Sequence, residues 1–146
     1  MDGLKEFLNS QRGNAYLILR VAAGFVLLWH GQAKFFVFGL AGVEGFFESM
    51  HLPGAVVLAP VVSILELFGG IAILLGAFTR LLGIWMAVQF GLITVWVKPI
   101  LIGRGFSGEN GSELDLLLFV LGVLLATHGP GKAALGPRLL GQGWAE

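Results

Sequence analysis

Four apolar stretches dominate the sequence, and each is close to the roughly 20 residues that an α-helix needs to cross a bilayer. They cover about residues 15–38, 55–78, 81–97 and 114–127. Only 12% of the residues are charged and the mean hydropathy is +0.86. A soluble domain carries about 25% charged residues because its surface faces water. The sequence therefore predicts an all-α integral membrane protein, a four-helix bundle that forms a single domain over residues 1–146.

The connecting segments contain the residues that end helices. Proline and glycine interrupt the chain at residues 52–54 and 128–131, and residues 103–111 form a glycine-rich loop. Between the first two spans, residues 39–51 place apolar side chains at helical spacing with glutamates between them. This pattern predicts a short interfacial helix on the membrane surface. Before the fourth span, Ser112 and Asp115 are typical of a helix N-terminus.

The distribution of lysine and arginine predicts the orientation, because cytoplasmic loops carry an excess of both. With four spans, both termini lie on one side, together with Lys5, Arg12, Arg80, Lys132 and Arg138. The opposite side carries Lys34, Lys98 and Arg104. We therefore expect a multi-pass protein of the inner (cytoplasmic) membrane with both termini in the cytoplasm.

Several functional classes are excluded or disfavoured by composition. The chain has no cysteine, which excludes an internal disulfide, a thiolate metal site and a thiol nucleophile. Nine basic and nine acidic residues give a formal charge of zero, so no electrostatic attraction to nucleic acid is expected. His30 and His128 are isolated in the sequence, and we expect no metal site. The lipid bilayer is the first expected partner.

Two ionisable residues, Arg20 and Glu66, fall inside the first and second spans. A charge at the centre of a spanning helix costs about 3 kcal/mol, so such side chains usually face other helices and find partners there. Helical periodicity groups them with small residues on two faces: Arg20, Gly24, Leu27, Gly31 and Lys34 on one, and Glu66, Gly70, Ile73, Ala77 and Arg80 on the other. We expect an Arg20–Glu66 ion pair where these faces pack.

The candidate site residues form two groups, although no pattern identifies a catalytic group. The buried polar candidates are Arg20, Glu66, Gln89 and Glu113, and the secondary candidates are His30, Lys34, Trp96 and Lys98. Structural interpretations compete with these. Arg20 and Glu66 are explained equally well as an ion pair that fixes helix register and has no further role. For Lys34, Arg80 and Lys98 the favoured interpretation is an interfacial anchor. Trp29, Trp85 and Trp96 are typical of the aromatic belt, and Glu113 suits a helix N-terminus.

Three strings of residues resemble the DoxX family of membrane proteins. They are Arg20…Gly24…Gly31…Lys34, then Glu66-Leu67-Phe68-Gly69-Gly70…Gly76-Ala77-Phe78-Thr79-Arg80, and Gly105-Phe106…Asn110-Gly111…Glu113 followed by His128-Gly129-Pro130-Gly131. The resemblance covers roughly residues 12–138. It implies a four-helix membrane bundle associated with membrane redox systems, since the family includes subunits linked to thiosulfate:quinone oxidoreductase. Family members often carry a histidine near the end of the third helix, where this chain has Trp96-Val97-Lys98.

Three functions remain open at this point. The preferred one is a membrane subunit of a redox complex that binds a quinone between its helices. The alternative is a non-catalytic membrane anchor or assembly scaffold for an oxidoreductase, and the third is a proton or small-solute conductor. The first two require a protein partner in a membrane complex. Whether the chain is itself an enzyme, and whether it forms a homo-oligomer, both stay open.

Overall fold

The computed structural model describes residues 2–136 and 138, so the outermost residues of the predicted domain lie outside the described part. Within that part the chain is all-helical and contains no strand, which confirms the all-α class. The helices are α1 (Asp2–Ser10), α2 (Arg12–Phe36), α3 (Gly39–Ser49), α4 (Ala55–Leu75), α5 (Thr79–Leu92) and α6 (Glu113–His128). A π-helical segment, Ile93–Leu101, continues α5 without a break.

Three helices of the described part are long and apolar enough to cross a membrane. They are Asn14–Phe36, Ala55–Leu75 and Thr79–Leu101, and they match three of the four apolar stretches. The third is longer than the stretch 81–97 because the π-helical segment extends it. The fourth stretch forms α6, whose 16 residues correspond to a length of about 24 Å. The segment predicted to be a short helix between the first two spans is α3.

Helices α2 and α4 run antiparallel and pack closely through glycines. A methyl group added at Gly70 would lie 2.6 Å from the backbone nitrogen of Leu28 and 2.9 Å from the carbonyl oxygen of Gly24. One at Gly31 would lie 2.6 Å from Cα of Leu67. Real side-chain carbons do not approach backbone this closely, so the two helices fit together only with glycine at these positions. Close packing of this kind drives helix association in lipid.

Helices α5 and α6 form a second antiparallel pair by the same means. A methyl group added at Gly83 would lie 2.8 Å from the carbonyl oxygen of Gly122, and one at Gly122 would lie 2.6 Å from the nitrogen of Ala87. The buried core, which includes Leu27, Ile73, Met86 and Leu125, lies where the two pairs meet. The fold therefore consists of two glycine-packed helix pairs.

Replacing Gly70 by alanine should separate α2 from α4, because the added methyl group would contact backbone rather than a movable side chain. Overpacking of this kind typically costs about 1–3 kcal/mol, and we expect the melting temperature in detergent to fall. Gly45→Ala is the matched control, since no atom lies within 4 Å of a methyl group there and alanine favours a helix over glycine. Equal melting temperatures for the two variants would contradict the glycine-packed interface.

Candidate functional site

A cavity of about 1020 Å³ lies among the helices, and apolar side chains from α2 to α6 form most of its lining. Helix α3 contributes Val43, Phe46 and Phe47 to the wall, and Met50, directly after the helix, also lines the cavity. Aromatic rings from α5 and its π-helical continuation add Trp85, Phe90 and Trp96. The polar lining residues are His30, Lys34, Ser49, Glu66, Gln89, Lys98, Arg104, Asn110 and Asp115. Ligand cavities typically combine such an apolar lining with a few polar groups.

The main polar feature of this cavity is the Glu66 cluster, defined as Lys34, Glu66 and Gln89. Lys34 Nζ forms an ion pair with Glu66 Oε2, and Gln89 Nε2 donates a hydrogen bond of 3.0 Å to Glu66 Oε1. The Glu66 side chain is only 5% exposed. The cluster joins α2, α4 and α5, and it gives each oxygen of a buried carboxylate a hydrogen-bond donor or a cation.

A second ionic feature of the cavity is the Asp115 pair, defined as Lys98 and Asp115. Lys98 Nζ pairs with Asp115 Oδ2 and donates a hydrogen bond of 2.6 Å to the carbonyl oxygen of Gly111. Both side chains are largely buried, at 20% and 12% exposure. Lys98 reaches this position from the π-helical segment, where Pro99 cannot donate the usual backbone hydrogen bond of an α-helix.

The expected Arg20–Glu66 ion pair is wrong. The Arg20 guanidinium donates hydrogen bonds to the carbonyl oxygens of Pro130 at 2.6 Å and Ala133 at 3.2 Å, at the opposite end of α4 from the cavity. The antiparallel register explains this, because Arg20 lies beside Gly76. Gly76 is ten residues beyond Glu66, or about 15 Å along a helix. Arg20 is nevertheless buried, at 2% exposure, and it anchors the segment that follows α6.

Lys34 and Lys98 are not the interfacial anchors that the sequence analysis favoured, because both ammonium groups pair with buried carboxylates. Arg80, the third cation given that interpretation, donates hydrogen bonds to the carbonyl oxygens of Ala126 and Thr127 at 3.1 and 2.8 Å. These carbonyls belong to the last turn of α6, where an α-helix leaves them without partners. Arg80 therefore closes the end of α6.

Six of the eight sequence candidates line the same cavity: His30, Lys34, Glu66, Gln89, Trp96 and Lys98. The two exceptions are Arg20 and Glu113. Glu113 is exposed at the first turn of α6 and is not part of the lining. Its expected position at a helix N-terminus is correct, because it is the first residue of α6.

Sequence reasoning missed Asp115, which it treated only as a residue that favours a helix N-terminus. No side-chain cap is formed at Ser112, and Asp115 faces Lys98 instead. One signal was available: an acidic residue that falls on the same helix face as Leu118, Gly122 and Leu125 is expected to be buried. Trp85 was likewise assigned to the aromatic belt, and it lines the cavity.

A second, entirely apolar groove of about 540 Å³ runs along the outer side of α2. Its lining consists of Leu17, Ile18, Val21, Ala22, Phe25 and Leu74. Because the lining of this groove has no hydrogen-bonding side chain, the groove suits lipid chains. It is a control surface against which ligand binding in the polar cavity can be compared.

Comparison with known proteins places the chain among membrane proteins. The family model described as DoxX matches residues 15–99. A Bacillus subtilis (strain 168) protein named "Putative oxidoreductase CatD" is 34% identical over 123 residues, which cover 83% of this chain and 84% of that protein. An Escherichia coli (strain K12) protein named "Inner membrane protein YqjF" is 30% identical over 135 residues, covering 88% and 93%. No solved structure matches the chain.

A third relative is an uncharacterized membrane protein of Mycobacterium tuberculosis (strain ATCC 25618 / H37Rv). It is 27% identical over 140 residues, which cover 90% of this chain and 85% of that protein. Two of these relatives are membrane proteins by name, and this chain has three helices that are long and apolar enough to cross a membrane. Together they confirm that the chain is a membrane protein.

The Lys34–Glu66 pair allows a stability test. Lys34→Met leaves a buried carboxylate without its cation, and Glu66→Met leaves a cation without its carboxylate; losing one partner of a buried pair typically costs about 3–5 kcal/mol. The double variant removes both charges, so it should be more stable than either single variant. Unfolding in mixed micelles measures all three against wild type. Additive losses in the double variant would contradict a direct pair.

Proposed function

This chain belongs to the DoxX family, and on that premise we propose that it is a membrane subunit of a redox complex that binds a quinone in the cavity beside the Glu66 cluster. Family membership and the name of the Bacillus subtilis relative, an oxidoreductase by name, support the redox association. The cavity supports the choice of ligand. The chain itself has no cysteine and therefore no thiol that could relay electrons. The electrons would come from a partner subunit or from a cofactor that the partner binds.

The observation that carries this proposal is a donor-bearing polar cluster inside an apolar cavity. A quinone has a flat apolar ring, two carbonyl oxygens that accept hydrogen bonds and, in membranes, an apolar tail. The ammonium of Lys34 and the amide of Gln89 are donors at the cavity wall. Trp85, Phe90 and Trp96 offer apolar surface for the ring. A volume of about 1020 Å³ leaves room for the ring and part of the tail.

The same residues fit the proton transfers that interconvert a quinone and its hydroquinone. Glu66 is a carboxylate within hydrogen-bonding reach of two donors, and its side chain is only 5% exposed. Glu66 and Lys34 can hold or release a proton where the ring would bind, and the Asp115 pair lies farther along the same cavity. Positioned acids and bases of this kind assist proton transfer.

The proposed topology completes the four-helix bundle with α6 as its fourth span. Its length of about 24 Å is short for a hydrocarbon core of about 30 Å. The polar residues at its start, Ser112 and Glu113, would then lie in the headgroup layer. Helix α3 would lie at the interface, where Val43 and the following Met50 are buried against the bundle.

The proposed orientation puts both termini in the cytoplasm of an inner membrane, in line with the excess of lysine and arginine on that side. The name of the Escherichia coli relative supports the choice of membrane. Helix α3 and the 103–111 loop, which both contribute to the cavity lining, would face the other side. A lipid-soluble quinone would then reach the cavity from the outer leaflet.

Glu66→Gln should abolish or strongly reduce quinone binding, because the change removes the carboxylate that orients Lys34 and Gln89. We expect an at least tenfold weaker affinity, the equivalent of about 1.4 kcal/mol. Mass spectrometry of the purified protein detects a co-purified quinone, and titration calorimetry with a decyl-substituted benzoquinone measures affinity. The matched control is Glu113→Gln, the same substitution at an exposed carboxylate outside the cavity.

The result that would contradict this function is a wild-type protein that carries no quinone and binds none in lipid nanodiscs. If that protein also assembled normally with its partner, the chain would act as an anchor or scaffold. Proton flux through liposomes containing the protein alone would instead favour a conductor.

A further inference from the structure

We infer that the cavity opens sideways toward lipid, between α4 and the helix formed by α5 and its π-helical continuation. The opening holds the apolar chain of a ligand whose polar head lies at the Glu66 cluster. This inference rests on the proposed function and adds to it a route of entry and a place for the tail. The lateral opening is defined by lining residues from both sides of the gap: Leu58, Val61, Leu65, Leu92, Ile93 and Trp96.

Two contacts show where α4 and α5 are held together. A methyl group added at Gly69 would lie 3.7 Å from the ring of Trp85, so the helices pack against each other at that level. About one turn nearer the start of α4, Gln89 donates its hydrogen bond to Glu66. The contacts move toward the start of α4 as they move toward the end of α5, so the two helices run antiparallel. The wall between them is closed at this end of the cavity.

Beyond these contacts, the cavity lining on α4 extends from the inward face of the helix to its outward face. An α-helix turns by about 100° per residue. Relative to Glu66, Val62 is therefore rotated by about 40° and Leu65 by about 100°. Val61 is rotated by about 140° in the same direction, and its side chain is exposed. All four residues line the cavity. A lining that continues from a buried to an exposed face of one helix reaches the surface of the bundle there.

The lining on the α5 side also reaches an exposed face. Leu92 is rotated by about 60° from Gln89, in the direction opposite to the buried Phe90. Leu92 is exposed and lines the cavity. Trp96, about one turn farther along, is likewise exposed and part of the lining. Exposed lining residues therefore border the gap on both sides, which is the geometry of a lateral opening.

The chemistry of the lateral opening suits an alkyl chain. Five of its six side chains are aliphatic, and the sixth, Trp96, has one polar group, the indole N–H. Both bordering helices, 55–75 and 79–101, are long and apolar enough to cross a membrane, so lipid surrounds the opening. A charged headgroup there would lose its hydration without finding a partner, whereas an alkyl chain passes from lipid to apolar side chains without meeting water. Leu65 adjoins Glu66 in the sequence, so a chain in the opening leads directly to the polar cluster.

The experiment fills the lateral opening with a tryptophan ring in the full chain in lipid nanodiscs. Calorimetry measures the affinity for a decyl-substituted benzoquinone and for the same ring without the chain. In Val61→Trp we expect about tenfold weaker binding of the decyl compound and less than about twofold change for the chainless ring, because only the chain occupies the opening. Val57→Trp is the matched control, since Val57 is exposed on the same helix and does not line the cavity. Leu92→Trp, with Val95→Trp as its control, repeats the test from the α5 side.

The wild-type protein gives a second measurement that does not depend on the folding of any variant. A benzoquinone with a diazirine on its alkyl chain, close to the ring, labels the residues that surround the chain. We expect labels within residues 58–65 and 92–96 that excess unlabelled decyl compound suppresses. Suppressible labels confined to α3 or to the 103–111 loop would overturn the lateral opening.

The outcomes separate this inference from the proposed function. If a folded Val61→Trp protein bound both compounds as wild type does, or lost affinity for both equally, the lateral opening would be overturned. The quinone site would still stand if Glu66→Gln abolished binding of both compounds. If wild type bound neither compound and gave no suppressible label, both proposals would fall.

Discussion

The interaction on which the rest of the structure depends is the pairing of Lys34 with Glu66 inside an apolar helix bundle. A lone carboxylate at this depth would be unstable, because neither lipid nor apolar side chains can solvate it. Lys34 supplies the opposite charge and Gln89 satisfies the second oxygen. These contacts tie three helices together at one point. They also put polar groups on the wall of a cavity whose lining is mostly apolar.

Glycine packing makes this pairing possible. Close contact at Gly31 and Gly70 fixes the register of α2 against α4, and that register puts Lys34 level with Glu66. The same register takes Arg20 away to the end of α4, where it binds backbone carbonyls. A second glycine-packed pair, α5 and α6, carries Gln89 and the Asp115 pair. The Glu66–Gln89 hydrogen bond connects the two pairs at the cavity wall, so packing and site chemistry are coupled.

Much of this was predictable from the sequence, and the exceptions have physical reasons. Hydropathy and chain length predicted the long apolar helices, and helical periodicity identified the face of α2 that packs on α4. Periodicity alone cannot set the register between two helices, which is why Arg20 was paired with Glu66. The inward direction of Lys34 and Lys98 was missed for a similar reason: a long flexible side chain near a helix end can reach either water or a buried partner. Only the position of the neighbouring carboxylate decides between them.

The most direct test of the central claim, that the Glu66 cluster forms a ligand site within the membrane, is photolabelling with an azido-substituted quinone followed by peptide mass spectrometry. We predict labels on cavity residues of α4, α5 and the π-helical segment, near Glu66 and Trp96, and suppression of those labels by excess unlabelled quinone. The apolar groove along Leu17 to Phe25 serves as the internal comparison. Labels confined to that groove, or labels in the cavity that excess quinone does not suppress, would contradict the account.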